Sequence, residues 1–102
     1  FYNRGVVFGK GAEYAKAIAD YDKYIEMLPD KTTYLADGYL NRGLAYWHLG
    51  NHDLAVKDFT KVILLDSQNP RGYKARAIVY RDMKNIPLAV ADEKKAAALA
   101  AP

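Results

Sequence analysis

An all-α solenoid of stacked helix pairs is the fold class this sequence predicts, and three observations carry the prediction. Shifted by 38 residues and then by 34, the chain falls onto itself: Phe1-Tyr2-Asn3-Arg4-Gly5 becomes Tyr39-Leu40-Asn41-Arg42-Gly43, then Tyr73-Lys74-Ala75-Arg76-Ala77. Self-similarity at such a period marks supersecondary units that bury their apolar faces only by stacking on one another. Within each unit the apolar residues recur at spacings of three and four, the period of a helix with one apolar face. Small residues keep the same register, Gly5, Gly43 and Ala77 followed twelve residues on by Ala17, Ala55 and Ala89. Such columns let two helix backbones cross closely.

The elements follow in order. Phe1, Gly5 and Phe8 predict a helix over 1–10, and Ala17, Tyr21, Tyr24 and Leu28 a second over 13–28, with Gly9-Lys10-Gly11 as the break. Tyr39, Gly43 and Tyr46 place a third over 33–49, and Ala55, Phe59 and Val62 a fourth over 52–65. Between them Gly50 suits a helix C′ position and Asn51 an N-cap. A fifth helix over 70–83 and a sixth over 87–100 flank Lys84-Asn85-Ile86-Pro87, where Asn85 is a plausible cap and Pro87 suits a first turn. Pro29 and Pro70 punctuate the junctions between units. The longer first shift puts four extra residues near Asp30–Leu35, about one turn, so the third helix is expected to be extended.

Six helices make three antiparallel hairpins, in units of about 1–30, 36–69 and 70–102, within one domain over 1–102. The core is expected from the columns Phe8, Ala17, Tyr21, Tyr46, Ala55, Phe59, Tyr80 and Ala89. The chain opens inside a first helix and closes on the thinly covered run Ala96-Ala97-Ala98-Leu99-Ala100-Ala101. A fragment of a longer protein, whose next helix covers that end, is the expectation. Self-association through the C-terminal helix is the alternative.

Composition narrows the function. Cys is absent, which excludes disulfides, thiol catalysis and Cys-ligated metal. No apolar run approaches the ~20 residues that span a bilayer. A net charge of +3 is too small to argue for nucleic acid by itself. His48 and His52 are separated by Gly50-Asn51, which should break their helix, and nothing completes a metal set around them. The glycines of Gly5–Gly11 lack the Lys-Ser/Thr arrangement of a phosphate loop. Asp92 and Glu93 are sequence neighbours and diverge on a helix surface. No catalytic residue, metal or cofactor is expected, so the chain reads as a non-enzyme. A cytoplasmic location is the expectation, with a processed or secreted form as the alternative.

One charged pattern recurs in all three units: Arg4, Arg42 and Arg76 precede the small column, and Asp20, Asp58 and Asp92 fall three residues after the Ala column. Planar guanidinium groups spanning carboxylates between neighbouring helices are expected there. The expected pairs are Asp20 with Arg42 and Asp58 with Arg76, joining one unit to the next.

The aromatic four residues before a small residue, the aromatic three after it, Leu49-Gly50, then Ala55, Phe59 and a closing Pro or Ser together resemble the tetratricopeptide repeat. The middle unit, Tyr39–Ser67, fits best; Ala12 replaces the Gly in the first, and Glu93 stands where Tyr21 and Phe59 stand in the others. The resemblance implies right-handed stacking into a curved array whose concave side is lined by the first helix of each pair. The groove residues would then be Val6, Lys10, Leu40, Asn41, Leu44, Trp47, His48, Arg71, Lys74, Ile78 and Arg81. Val6, Leu40, Leu44, Trp47 and Ile78 form an apolar floor; Lys10, His48, Arg71, Lys74 and Arg81 form a basic rim, opposed by Asp37 and Asp82.

The function implied is a protein-interaction scaffold, binding a peptide or helix with apolar anchors and acidic flanks, and Trp47 is a candidate hot spot. Some members of the family clamp a C-terminal carboxylate with two Lys, two Asn and one Arg. Asn41 and Arg71 match two of those positions, while Tyr2, Val6 and Ala75 occupy the others, so that clamp is not expected. The alternatives are an RNA-binding helical-repeat module, hinted at by Trp47 with Lys74 and Arg81, and a structural spacer in a longer array.

Overall fold

A computed structural model describes residues 2–27 and 33–100, with side chains from residue 12 to 27 and from residue 34 to 100. Among the described residues there are five helices: α1 (Tyr2–Met27), α2 (Thr33–His48), α3 (His52–Leu65), α4 (Arg71–Asp82) and α5 (Ile86–Ala100). No strand occurs among the described residues. α2 packs on α3 and α4 on α5 as two hairpins, α3 on α4 joins the hairpins, and α1 covers α2. The chain is an all-α solenoid.

The two hairpin turns are built alike. After α2, the Asn51 N–H donates to the Tyr46 carbonyl and the Gly50 N–H to the Trp47 carbonyl, both at 2.9 Å. After α4, Asn85 donates to Tyr80 and Lys84 to Arg81 at 2.8 and 2.9 Å. This paired closure requires a left-handed residue at C′, and Gly50 (φ 80°) and Lys84 (φ 63°) supply it. Asn51 and Asn85 then start the next helix, each accepting a 3.4 Å bond from the N–H three residues on.

The same register explains why the expected break at Gly9-Lys10-Gly11 is absent and the first unit is one helix instead of a hairpin. Ala12 stands where Gly50 and Lys84 stand, and Glu13 where both caps are Asn. Glu lacks the short side chain that caps a helix start. Two glycines weaken a helix by about 1 kcal/mol each but do not end one. The extra turn of α2 is present: α2 has 16 residues against 12 in α4, and that turn buries Leu35 and Ala36.

The core sits where α2, α3 and α4 meet. Ala55, Phe59, Ala75 and Val79 form its buried cluster, with Leu40, Leu44, Tyr46, Trp47 and Val56 packed around it. Of the expected core columns, Ala55, Phe59 and Ala89 are fully buried, whereas Ala17, Tyr21, Tyr46 and Tyr80 are half-buried. Phe8 lies outside the described side chains.

The guanidinium groups account for the half-buried Tyr46 and Tyr80. Arg42 lies over the rings of Tyr39 and Tyr46, 5.3 and 5.9 Å from their centres, and Arg76 likewise over Tyr73 and Tyr80. Arg42 donates from Nε and Nη2 to both Asp58 oxygens at 2.9 and 2.8 Å. Arg76 does the same to Asp92 at 2.7 and 2.8 Å. These bridges correct the expected pairing: each Arg grips the carboxylate of its own hairpin, so Asp58 binds Arg42 and not Arg76. Asp20 is exposed and, among the described side chains, bonds neither Arg42 nor Arg76. The same guanidiniums also reach the preceding unit, Arg42 Nη1 to Asp22 at 2.7 Å and Arg76 Nη1 to Thr60 at 3.2 Å. The Asp58 hydrogen bond, the largest contribution, and then that of Asp22 hold the Arg42 pKa above its ordinary value against the opposing effect of burial.

Candidate functional site: an apolar groove between α2 and α4

Between α2 and α4 opens a groove of about 290 Å³. Leu40, Leu44 and Trp47 come from α2; Ala75, Ile78 and Val79 from α4; Phe59 of α3 forms part of the floor. Arg71 and Lys74 stand on its α4 side. The helical period produces this: Leu40, Leu44 and Trp47 are four and three residues apart on one face, and Arg71, Lys74, Ala75, Ile78 and Val79 repeat that spacing opposite.

Six of the sequence-predicted groove residues therefore meet in one place: Leu40, Leu44, Trp47, Arg71, Lys74 and Ile78. The others do not. Asn41 is exposed on α2 outside the groove. His48 stacks on Tyr14 of α1, ring centres 4.6 Å apart and planes within 4°. Arg81 is held by the Glu93 carboxylate of α5, one of its two bonds being 2.7 Å from Nη2. That hydrogen bond is the main cause lowering the Glu93 pKa from its ordinary value. Val6 and Lys10 lie outside the described side chains.

The rim is less cationic than the sequence suggests. Arg71 Nη2 donates to Asp37 at 2.6 Å, and its buried Nε has no hydrogen-bond partner among the described residues. The indole N–H of Trp47 donates to Asp82 at 2.5 Å, tying α2 to α4 beside the groove. Lys74 is the exposed cation at the mouth. Phe59 belongs to the expected core columns, whereas Ala75 and Val79 do not; the groove is where the buried cluster of these three with Ala55 reaches the surface. Among the described residues no group of three His, Cys, Asp or Glu side chains could hold a metal ion. None of the described helices is long and apolar enough to cross a membrane.

The tetratricopeptide-repeat profile matches residues 36–69, the middle unit. A solved structure of the second such domain of Spaghetti (RPAP3), bound to an HSP90 peptide of sequence SRMEEVD, superposes with a TM-score of 0.74. It is 27% identical, over 95% of this chain and 86% of that one. This is a tetratricopeptide-repeat chain. Curated relatives with this repeat include a TPR repeat-containing protein of Methanocaldococcus jannaschii, 32% identical over 78% of this chain and 13% of that protein. Tetratricopeptide repeat protein 6 of Homo sapiens is 34% identical over 81% of the chain and 17% of its own length. A UDP-N-acetylglucosamine–peptide N-acetylglucosaminyltransferase of Giardia intestinalis is 37% identical over 72% of the chain and 5% of that enzyme. The repeat chain thus spans less than a fifth of each of these relatives. Tetratricopeptide-repeat proteins are in general non-catalytic scaffolds for protein partners.

Proposed function

We propose that this chain is a protein-interaction scaffold whose α2–α4 groove takes a partner segment carrying a bulky apolar anchor with acidic flanks. It acts by binding and not by catalysis. The observation that carries the reading is the meeting of Leu40, Leu44, Trp47, Phe59, Ala75, Ile78 and Val79 in one open groove, with Lys74 at its mouth. An exposed apolar concavity rimmed by polar groups marks an interaction site. A volume of about 290 Å³ suits one or two large side chains, not a drug-sized cofactor. The peptide SRMEEVD held by the solved neighbour has apolar residues among acidic ones, which fits the same chemistry. In this chain Ala75 stands beneath the groove where a clamp of that family needs a polar group, so the apolar anchor supplies most of the affinity here. Lys74 chiefly sets on-rate and orientation.

The test is selection of random dodecapeptides on the immobilised chain, followed by titration of the recovered consensus. Peptides with Leu, Met, Phe or Trp flanked by Asp or Glu are expected. Ile78→Ser is the cleanest groove variant, because Ile78 is half-exposed and outside the buried cluster. It should weaken binding by about 1–2 kcal/mol, on the scale of a truncated interface contact. Lys74→Glu should slow association while leaving folding unchanged. Trp47→Ala should cost both binding and stability, since Trp47 also packs on the core. A consensus with no apolar anchor, or one whose binding ignores Ile78→Ser and Lys74→Glu, would sink the groove assignment.

A further inference from the structure

The outer surface of the α4–α5 hairpin differs from the two junction surfaces within the fold. In each junction the following helix sets a glycine against two side chains of the preceding one. A Cβ on Gly38 would lie 3.0 Å from Ile25 and 3.1 Å from Tyr24. One on Gly72 would lie 2.8 Å from Ile63 and 3.2 Å from Val62. Four residues after each glycine, on the same helix face, an Arg reaches back across the junction, Arg42 to Asp22 and Arg76 to Thr60.

Advanced by the same 34 residues, Val62 and Ile63 become Ala96 and Ala97, and Thr60 becomes Lys94. Both halves of the recognition have changed. Where bulk demanded glycine there is a depression of about 380 Å³, lined by Lys74, Ala77, Ile78, Glu93, Ala96 and Ala97. Where an oxygen accepted from Arg there is an exposed ammonium, and Lys74 adds a second in place of Leu40. An incoming Arg would meet like charge.

We infer that the α4–α5 end face docks an amphipathic helix of a partner that has a bulky aliphatic residue at the glycine position and Asp or Glu four residues later. The inference rests on continuity with the two junctions already in the fold and on charge complementarity; the face shares Lys74 and Ile78 with the α2–α4 groove but does not require that groove to bind a partner. Ala96 and Ala97 give the aliphatic side chain its space, and Lys94 with Lys74 pairs the carboxylate. A second unit of this chain's own kind, with Gly and Arg at those positions, is disfavoured at this face.

The probe is a peptide of residues 69–84, stapled on the face opposite Gly72, in four versions: unchanged, Gly72→Leu, Arg76→Glu, and both. Binding to the whole chain is read by fluorescence anisotropy. The Leu change should tighten binding about tenfold and the Glu change about fivefold. Lys94→Asp in the chain should reverse the preference between Glu and Arg, and Ala97→Trp, which fills the depression, should erase the advantage of Leu. Circular dichroism checks that both variants remain folded. Equal binding of all four peptides, binding by none, or a Glu preference that survives Lys94→Asp overturns the inference. A concentration-dependent dimer of the chain alone that Ala97→Trp dissolves would assign the face to a second copy and overturn it as well.

Discussion

Gly43→Ala adds one carbon at the tightest point of the α2–α3 crossing. A Cβ there would lie 2.6 and 2.9 Å from two ring carbons of Phe59 and 3.1 Å from the Asp58 Cβ. Neither neighbour has room to yield. Phe59 is buried among Ala55, Ala75 and Val79, and Asp58 is fixed by two hydrogen bonds from Arg42. On an unobstructed helix the change would gain about 1 kcal/mol in propensity. Overpacking a closed core costs about 1–3 kcal/mol. The contact distances are short enough that the second effect wins, leaving a net loss of about 1–2 kcal/mol. For a domain of this size each kcal/mol lowers Tm by about 4–8 °C. The sequence contains its own control: Ala77 occupies the equivalent site of the last hairpin, where Glu93 replaces Phe59 and turns outward to Arg81. Urea unfolding followed by circular dichroism measures the effect, and Phe59→Leu isolates its cause. If the ring is the obstacle, the double variant is more stable than the sum of the single losses by about 1 kcal/mol. A Gly43→Ala protein as stable as the parent, or strictly additive losses, would refute the close crossing. Gly43→Leu should be worse than Ala in either background.

Four further outcomes follow from the ion pairs and turns. Asp58→Asn should cost about 2–3 kcal/mol in urea unfolding, because Asp58 is 3% exposed and leaves the Arg42 guanidinium half-buried without its bidentate partner. Asp22→Asn, at a side chain 47% exposed, should cost about 0–1 kcal/mol. Lys84→Gly should stabilise by about 0.5–1 kcal/mol, since Lys84 holds φ 63° where glycine carries no steric cost; an unchanged urea midpoint would contradict it. Glu93 has its pKa lowered from 4.5 in the folded chain, so near that pH the unfolded chain binds more protons. Its contribution is therefore full above the ordinary value and lost as pH falls through the lowered one. The Tm gap between parent and Glu93→Gln should be constant at neutral pH and close below about pH 4; a gap that widens in acid would reverse the assignment.

What the sequence disclosed, and what it hid, divides along physical lines. Features fixed by local period were legible: α3, α4, α5, the extended α2, and turns whose Gly50-Asn51 and Lys84-Asn85 occupy one register. The missing break at Gly9–Gly11 hinged on two positions, Ala12 and Glu13, that lack a turn's chemistry; weighing glycines as breakers overrode that absence. The Arg and Asp columns were visible, but a column does not say which neighbour its guanidinium faces. Arg42 has candidate carboxylates on both sides in sequence, and only the crossing of α2 with α3 brings Asp58 to it. The groove was half legible for a related reason. Leu40, Leu44, Trp47 and Ile78 follow from helix faces, whereas the pairing of Arg71 with Asp37 and of Arg81 with Glu93 depends on side-chain reach.

These two sets of side chains occupy different faces, and that separation is what makes the chain usable as a scaffold. Arg42 with Asp58 and Arg76 with Asp92 bind their hairpins together and reach Asp22 and Thr60 across the junctions, while Tyr39, Tyr46, Tyr73 and Tyr80 sheathe the guanidiniums. Each bridge spans 16 residues within one unit, so a unit carries its own clasp, and the same guanidinium gives one hydrogen bond to the preceding unit. Stability is then distributed by repeat, as expected for a quasi-one-dimensional array. The α2–α4 groove uses none of those atoms. Ile78 and Lys74 are exposed and can change at little cost to folding, and Leu40 and Leu44 at a cost set by their share of the core. Trp47 is the exception, since it touches the core cluster, bonds Asp82 and lines the groove at once. If the groove binds as proposed, a substitution there couples binding to stability, whereas one at Ile78 separates them.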